Sequence, residues 1–253
     1  MRLSRLSLLA LTSMLACSSI VLAQADANSR AFLATQAVVR MHEAWDKIAS
    51  PGASVEAKEV ERQDGVVQYN LYVSGLPTDK LYSAVSWPIE QQQPTTMMQG
   101  ISIGKGGVVM CAGRTSEQCG DASQKDDPID FTFKPAKGEP YRLALISGQS
   151  KAGIVIVPDP ITGSDKGCTL TVERLLPHFE IAYFRGSGFA ANSDASFEGQ
   201  SYNEKHLMKT KADGNGSIRF AALPFVAGHK NGTTTVKGVD MSCSPSLSFD
   251  WGN

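Results

Sequence analysis

The sequence has little net charge, few histidines, few aromatic residues and no apolar run long enough to cross a bilayer. Its 24 Lys+Arg nearly cancel its 25 Asp+Glu, for a formal charge of -1. That balance, with no basic stripe carrying interleaved aromatics, excludes a nucleic-acid binder that works by neutralising phosphates. Only four His are present, and none has a second His four residues away. With no C-x-x-C pair either, the pattern of a zinc site is missing, and no cofactor is expected. The longest apolar stretch, Leu6 to Leu15, falls well short of the roughly 20 residues that span a membrane. Disorder is excluded in turn, because 42% of the residues are hydrophobic.

What is there begins with an address. Arg2 and Arg5 precede the apolar stretch, and Val21-Leu22-Ala23 ends it with a small-residue cleavage pattern, so residues 1–23 read as a secretory signal peptide. Met14-Leu15-Ala16-Cys17 is an imperfect form of the bacterial lipoprotein pattern. A membrane becomes a partner only if Cys17 is lipidated. Cleavage after Ala23 instead gives a soluble periplasmic or secreted chain.

Five Cys become four once the leader is removed: Cys111, Cys119, Cys168 and Cys243. An even count in an oxidising compartment suggests two disulfides. Of the three pairings, spacing favours Cys111–Cys119, closing a short loop, and Cys168–Cys243, tying a C-terminal domain together.

Periodicity divides the rest. Between Asn28 and Ser50, Leu33, Ala37, Met41, Trp45 and Ile48 recur at helical spacing, with Asn28 or Ser29 as cap and Ser50-Pro51-Gly52 as stop. His42 on this helix reads as a solvated surface residue. After Pro51 the period becomes two: Val67, Tyr69, Leu71 and Val73 alternate with polar neighbours, and Asp64-Gly65 signals a hairpin to Val55–Arg62. Further short strands follow to Val157, separated by Gly-rich turns. The expected fold is all-β, two tandem β-sandwich domains with one N-terminal helix at an edge or end. Residues 28–157 would hold the helix and first sandwich, 158–167 a linker rich in breakers, and 168–253 a second sandwich of about seven strands.

In that last third, Phe184-Arg185-Gly186-Ser187-Gly188-Phe189, then Asp213-Gly214-Asn215-Gly216-Ser217 and Leu223-Pro224, resemble the bacterial immunoglobulin-like domains of the IPT/TIG type. The resemblance covers Cys168 to Asn253. It implies a non-catalytic spacer or binding module in an exported protein and assigns no functional residue.

Few residues offer chemistry. Gly148-Gln149-Ser150-Lys151-Ala152 approaches the G-x-S-x-G nucleophile elbow, but the last Gly and the following helix are missing, so a polar hairpin is expected. His178, His206 and His229 fall at strand edges or turns and read as surface residues. Asp213 to Ser217 starts like a calcium loop without its downstream Glu, and Asp126-Asp127 with Asp130 reads as a solvated acidic loop. Asn215-Gly216-Ser217 and Asn231-Gly232-Thr233 match the glycosylation pattern but are expected to be Asn-Gly turns. The Gln91–Thr96 loop, with Tyr82 and Trp87, either forms a peptide or glycan surface or runs over a core Trp; the second is favoured. The expected protein is an exported bacterial envelope protein acting as a non-catalytic binding or structural module. Its partner would be an envelope or extracellular protein or a glycan. The rival is an exported hydrolase with its site in the first domain, and a third reading is β-augmentation at an open edge strand.

Overall fold

The computed structural model describes residues 33–91, 93–112 and 128–252. The signal region with Cys17, the caps Asn28 and Ser29, Cys119, and Asp126-Asp127 lie outside the described residues. Eight strands come first: β1 (Ser54–Gln63), β2 (Val66–Ser74), β3 (Tyr82–Ser86), β4 (Thr95–Ile103), β5 (Val109–Cys111), β6 (Asp130–Phe133), β7 (Tyr141–Ser147) and β8 (Ser150–Ile156). Eight more follow: β9 (Ile161–Asp165), β10 (Cys168–Arg174), β11 (Ala182–Ser187), β12 (Asp194–Ser201), β13 (Glu204–Lys211), β14 (Ile218–Ala222), β15 (Asn231–Val239) and β16 (Ser246–Gly252). They form four antiparallel sheets, none closed, and the one α-helix among the described residues covers 33–45. The fold is all-β, as the periodicity indicates.

The first sandwich packs the sheet β1-β2-β6 against the sheet β5-β4-β3-β7-β8. Its inner faces meet through Val67, Leu71, Tyr82, Ile101, Phe131 and Leu145, all buried. The β1–β2 hairpin turns on Asp64 and Gly65, both at positive φ (51° and 77°), with Gln63 opposite Val66. That is the two-residue turn whose twist matches the flanking strands.

The last turn of the helix lies elsewhere than expected. Leu33 and Met41 of the anticipated stripe are exposed (58% and 41%). The last turn packs flat on the outer face of the five-stranded sheet, not at an edge or end. There Trp45 joins Trp87, Val85, Ala144, Ile146 and Val155, and its Nε1 donates to the Leu143 carbonyl at 3.3 Å. This second cover explains why β7 is buried at four consecutive residues from Arg142 to Leu145. Just beyond the helix, the chain pairs with the free edge of β8: Ser50 N–H donates to Lys151 O (2.7 Å) and Gly153 N–H to Ile48 O (2.6 Å).

The second sandwich packs β14-β11-β10-β9 against β13-β12-β15-β16 around Leu170, Phe184, Phe197, Phe249 and Trp251. Phe184 and Phe220 stack at 4.6 Å. The stretch 158–167, expected as a linker, supplies β9. It pairs with β10 through a tight turn at Lys166-Gly167, both at positive φ (47° and 87°). Thr162, Gly163 and Ser164 hide this strand from a hydrophobic pattern because β9 is an edge with only partial burial. The G-x-G-F segment behaves as its glycines suggest: Gly188 sits at φ 81°, where a Cβ would lie 2.1 Å from Gly167 O, and Phe189 is buried in the core.

Cys168 and Cys243 form a disulfide across 75 residues. Cys111 is disulfide-bonded as well. Replacing Cys168 and Cys243 by Ala is expected to lower stability by about 4 kcal/mol on chain-entropy grounds. Urea unfolding of the two proteins checks this, and an unchanged midpoint would show that the crosslink contributes nothing.

Candidate functional site

Among the described residues, the largest assembly of chemically capable side chains is a buried polar junction where the last turn of the helix, the first sandwich and the second sandwich meet. All of its members belong to one compact unit, His42–Asn253. Sequence supplies it from four separate places: His42 and Asp46 at the end of the helix, Arg142 on the outer face of β7, Glu173 on β10 and Arg185 on β11.

His42 is fully buried (0% exposed), which corrects its reading as a solvated residue. A single His beside Glu43, with no second His at helical spacing, reads as surface; only the tertiary fold turns it inward. Its Nδ1 accepts from Arg142 Nε at 2.9 Å, and its Nε2 lies 3.0 Å from Glu173 Oε2 and 2.8 Å from Arg185 Nη2. With Nδ1 as acceptor, the proton of the neutral ring belongs on Nε2, facing Glu173. Tyr183 closes the site edge-on at 4.8 Å, and its hydroxyl donates to Glu43 Oε1 at 3.1 Å.

Glu173 and Asp46 hold the other side. Arg185 Nε donates to Glu173 Oε1, and Arg185 Nη1 pairs with Asp46. Arg142 stacks over the Trp87 ring at 4.5 Å and donates from Nη1 to the Trp87 carbonyl at 3.2 Å. Two guanidiniums thus face two carboxylates with a neutral imidazole between them, so the buried charges balance. That balance is needed, since an unpaired charge at this depth costs several kcal/mol.

The titration behaviour follows. Burial, the largest influence, drives the His42 pKa below 6.5; Glu173 opposes this, while Arg142 and Arg185 reinforce it. Burial alone would raise Glu173, but the hydrogen bond from His42 and the charge of Arg185 leave it below its ordinary value. Burial pulls Arg142 down to about 10, still charged at neutral pH.

A second seam runs beside the junction. Glu139, buried in the segment before β7, pairs with Arg174 at 2.8 Å, and Arg174 N–H donates to Gly138 O at 2.8 Å. Next to it opens a cleft of about 650 Å³ whose polar lining includes Lys137, Asp159, Arg174, His178, Thr233 and Asp250. Thr233 Oγ1 donates to Asp250 at 2.6 Å. The cleft offers charges of both signs and hydroxyl groups to a polar ligand.

The residues singled out from sequence do not converge. Ser150 sits on the β7–β8 hairpin, opposite Ser147, and accepts a hydrogen bond from Lys80 Nζ at 3.1 Å near the surface. No histidine among the described residues is within hydrogen-bond reach of it. His178, His206 and His229 are exposed on the second sandwich. Asp213 accepts from the backbone N–H groups of Asn215 and Ser217, and these bonds lower its pKa. It serves as a turn cap there. Asn215 is in that turn, but Asn231 begins β15 and is not in an Asn-Gly turn. Tyr82 and Trp87 are buried (1% and 5%), and Trp87 Nε1 donates to Gln91 O at 2.8 Å. Gln91, at the start of the Gln91–Thr96 loop, therefore lies over a core Trp. Arg142, Glu173, Arg185 and Asp46 were not singled out as site residues in sequence; Arg185 figured there only inside the structural glycine motif. The one signal was Arg142, a lone charge beside the apolar run Leu143-Ala144-Leu145.

No protein-family model matches the chain, and no curated protein matches it. Among solved structures it is similar to a tetra-tandem repeat in the extending region of a large adhesion protein, at 9% identity and a TM-score of 0.27. That likeness covers 79% of this chain and 48% of the other. It is also similar to a 1.5-MDa bacterial ice-binding adhesin at 8% identity and a TM-score of 0.21, covering 79% of this chain and 63% of that one. The chain thus spans less than two thirds of either structure.

Two outcomes are expected at the junction. Glu173→Ala leaves Arg185 and His42 without their shared acceptor and should cost about 3–5 kcal/mol in urea unfolding; a loss well under 1 kcal/mol would sink the assignment. The second concerns pH. A folded-state pKa below the unfolded value of 6.5 means that the unfolded chain takes up the proton first, so the His42 contribution is complete above that value and declines as pH falls below it. Unfolding midpoints from pH 7.5 to 5.5 should show this decline, and His42→Gln should flatten it.

Proposed function

We propose that this is an exported, non-catalytic module of the bacterial envelope or extracellular space, with a second domain of the IPT/TIG immunoglobulin-like type. Its work is to hold two sandwiches together and to present their surfaces to a protein or glycan partner. The observation that carries this reading is the closed character of the junction. Its imidazole, carboxylate and guanidinium would resemble a reactive constellation if a substrate could reach them. His42 and Glu173 are 0% and 2% exposed. Groups so placed join elements; they do not meet a ligand.

Export is supported by the signal pattern of residues 1–23 and by the Cys168–Cys243 bond, which persists in an oxidising compartment. Cys111–Cys119 is the second pairing proposed, and lipidation at Cys17 would change the product from free to anchored. The rival hydrolase requires Ser150 to be activated. A fluorophosphonate probe on the purified mature chain is expected to leave Ser150 unmodified. Labelling that disappears in Ser150→Ala would overturn the non-catalytic reading.

A further inference from the structure

The two sides of the second sandwich are built differently. On one side, β9 and β16 are drawn together: a Cβ on Gly163 would lie 1.9 Å from Ser246 O, Asp165 Oδ2 accepts from Ser244 N–H at 2.7 Å, and the Cys168–Cys243 bond sits at the same flank. On the other side, β13 and β14 meet where Thr210 Oγ1 donates to Arg219 O at 3.1 Å, then part toward Glu204. Between them opens a groove of about 470 Å³, backed by Phe184, Val236 and Phe249 and lipped by Leu223 and Phe225. Leu223 and Phe225 are 43% and 53% exposed. Large apolar side chains gathered around a concavity mark a binding surface.

β13 is the edge strand of its sheet. It pairs with β12, from Glu204 opposite Ser201 to Lys211 opposite Asp194, and no strand among the described residues pairs with its other edge. Its side chains alternate. Glu204, His206 and Met208 turn to the groove, with Glu204 and His206 paired at 3.3 Å. Lys205, Leu207, Lys209 and Lys211 turn outward. Lys205 pairs with Glu198 at 2.9 Å, whereas no ion pair among the described residues involves Lys209 or Lys211. A lysine row of this kind repels a second identical edge. The same row attracts a strand that carries carboxylates at alternate positions.

We propose that β13 is a recognition edge for an extended acidic segment of a partner protein. The segment adds a strand beside β13, turns its apolar side chains into the groove, and sets its carboxylates against Lys205, Lys209 and Lys211. This deepens the binding-module reading and rests on it, with a protein chosen over a glycan because an open strand edge offers backbone pairing.

The test uses the mature chain and a short synthetic peptide of alternating Val and Glu, alongside the same peptide with Lys for Glu. Calorimetry is expected to show binding of the Val–Glu peptide and binding about tenfold weaker or worse for the Val–Lys peptide, from the summed cross-strand charge pairs. Amide exchange should slow along β13. The double variant Lys209→Glu/Lys211→Glu, at exposed positions, should reverse the order of the two peptides, and Phe225→Ser should weaken both. The proposal fails if the Val–Glu peptide does not bind, if it binds without slowing exchange in β13, or if charge reversal leaves the order unchanged. Self-association through β13 in sedimentation would also overturn it. Each of these failures leaves the unreactive Ser150 untouched, so the non-catalytic reading is judged separately.

Discussion

Glu173 is the group on which the arrangement of this molecule depends. It stands on the second sandwich, and its carboxylate receives Arg185 from the neighbouring strand and faces His42 from the helix. Through His42 it reaches Arg142 on the first sandwich. One buried anion therefore determines the orientation of three elements. Apolar surface alone would let the sandwiches meet in many registers, because hydrophobic contact is non-directional. A buried carboxylate accepts few geometries, since each misplaced donor leaves a charge without a partner.

The same constraint explains why β7 tolerates an arginine in a strand buried on both faces. Arg142 has its guanidinium over the Trp87 ring, its Nε on His42 and its Nη1 on the Trp87 carbonyl. Arginine suits such a place better than lysine, because a planar guanidinium can stack on an aromatic ring and donate along its rim at once. The helix then has two tasks at its last turn. Trp45 seals the apolar half of the outer face, and His42 with Asp46 completes the ionic half.

Much of the β architecture was legible in the sequence. The alternation of Val67, Tyr69, Leu71 and Val73 and the Asp64-Gly65 turn are local signals, and local geometry follows them. Phe189 and its flanking glycines were legible for the same reason. The candidate site was not. Arg142, Glu173 and Arg185 come from distant strands, and nothing near any of them in the chain specifies the others. His42 misled because it has no second His at helical spacing and its partners lie 100 or more residues away. β9 was hidden by the opposite cause, a strand too polar to show alternation. The helix was legible, but of its expected stripe Leu33, Ala37 and Met41 are exposed and Trp45 is buried, because what packs is set by where the sheet lies.

The crosslink of the second sandwich has a mechanical consequence. Cys168 opens β10 and Cys243 lies just before β16, so the bond joins the second strand of that sandwich to the segment leading into its last. Tension applied along the chain from either side passes through sulfur and bypasses the strands between the two cysteines. The 75-residue span between the two cysteines carries none of that load. Stretching would have to peel the edge strands β9 and β16 first, while the strands that form the groove keep their shape.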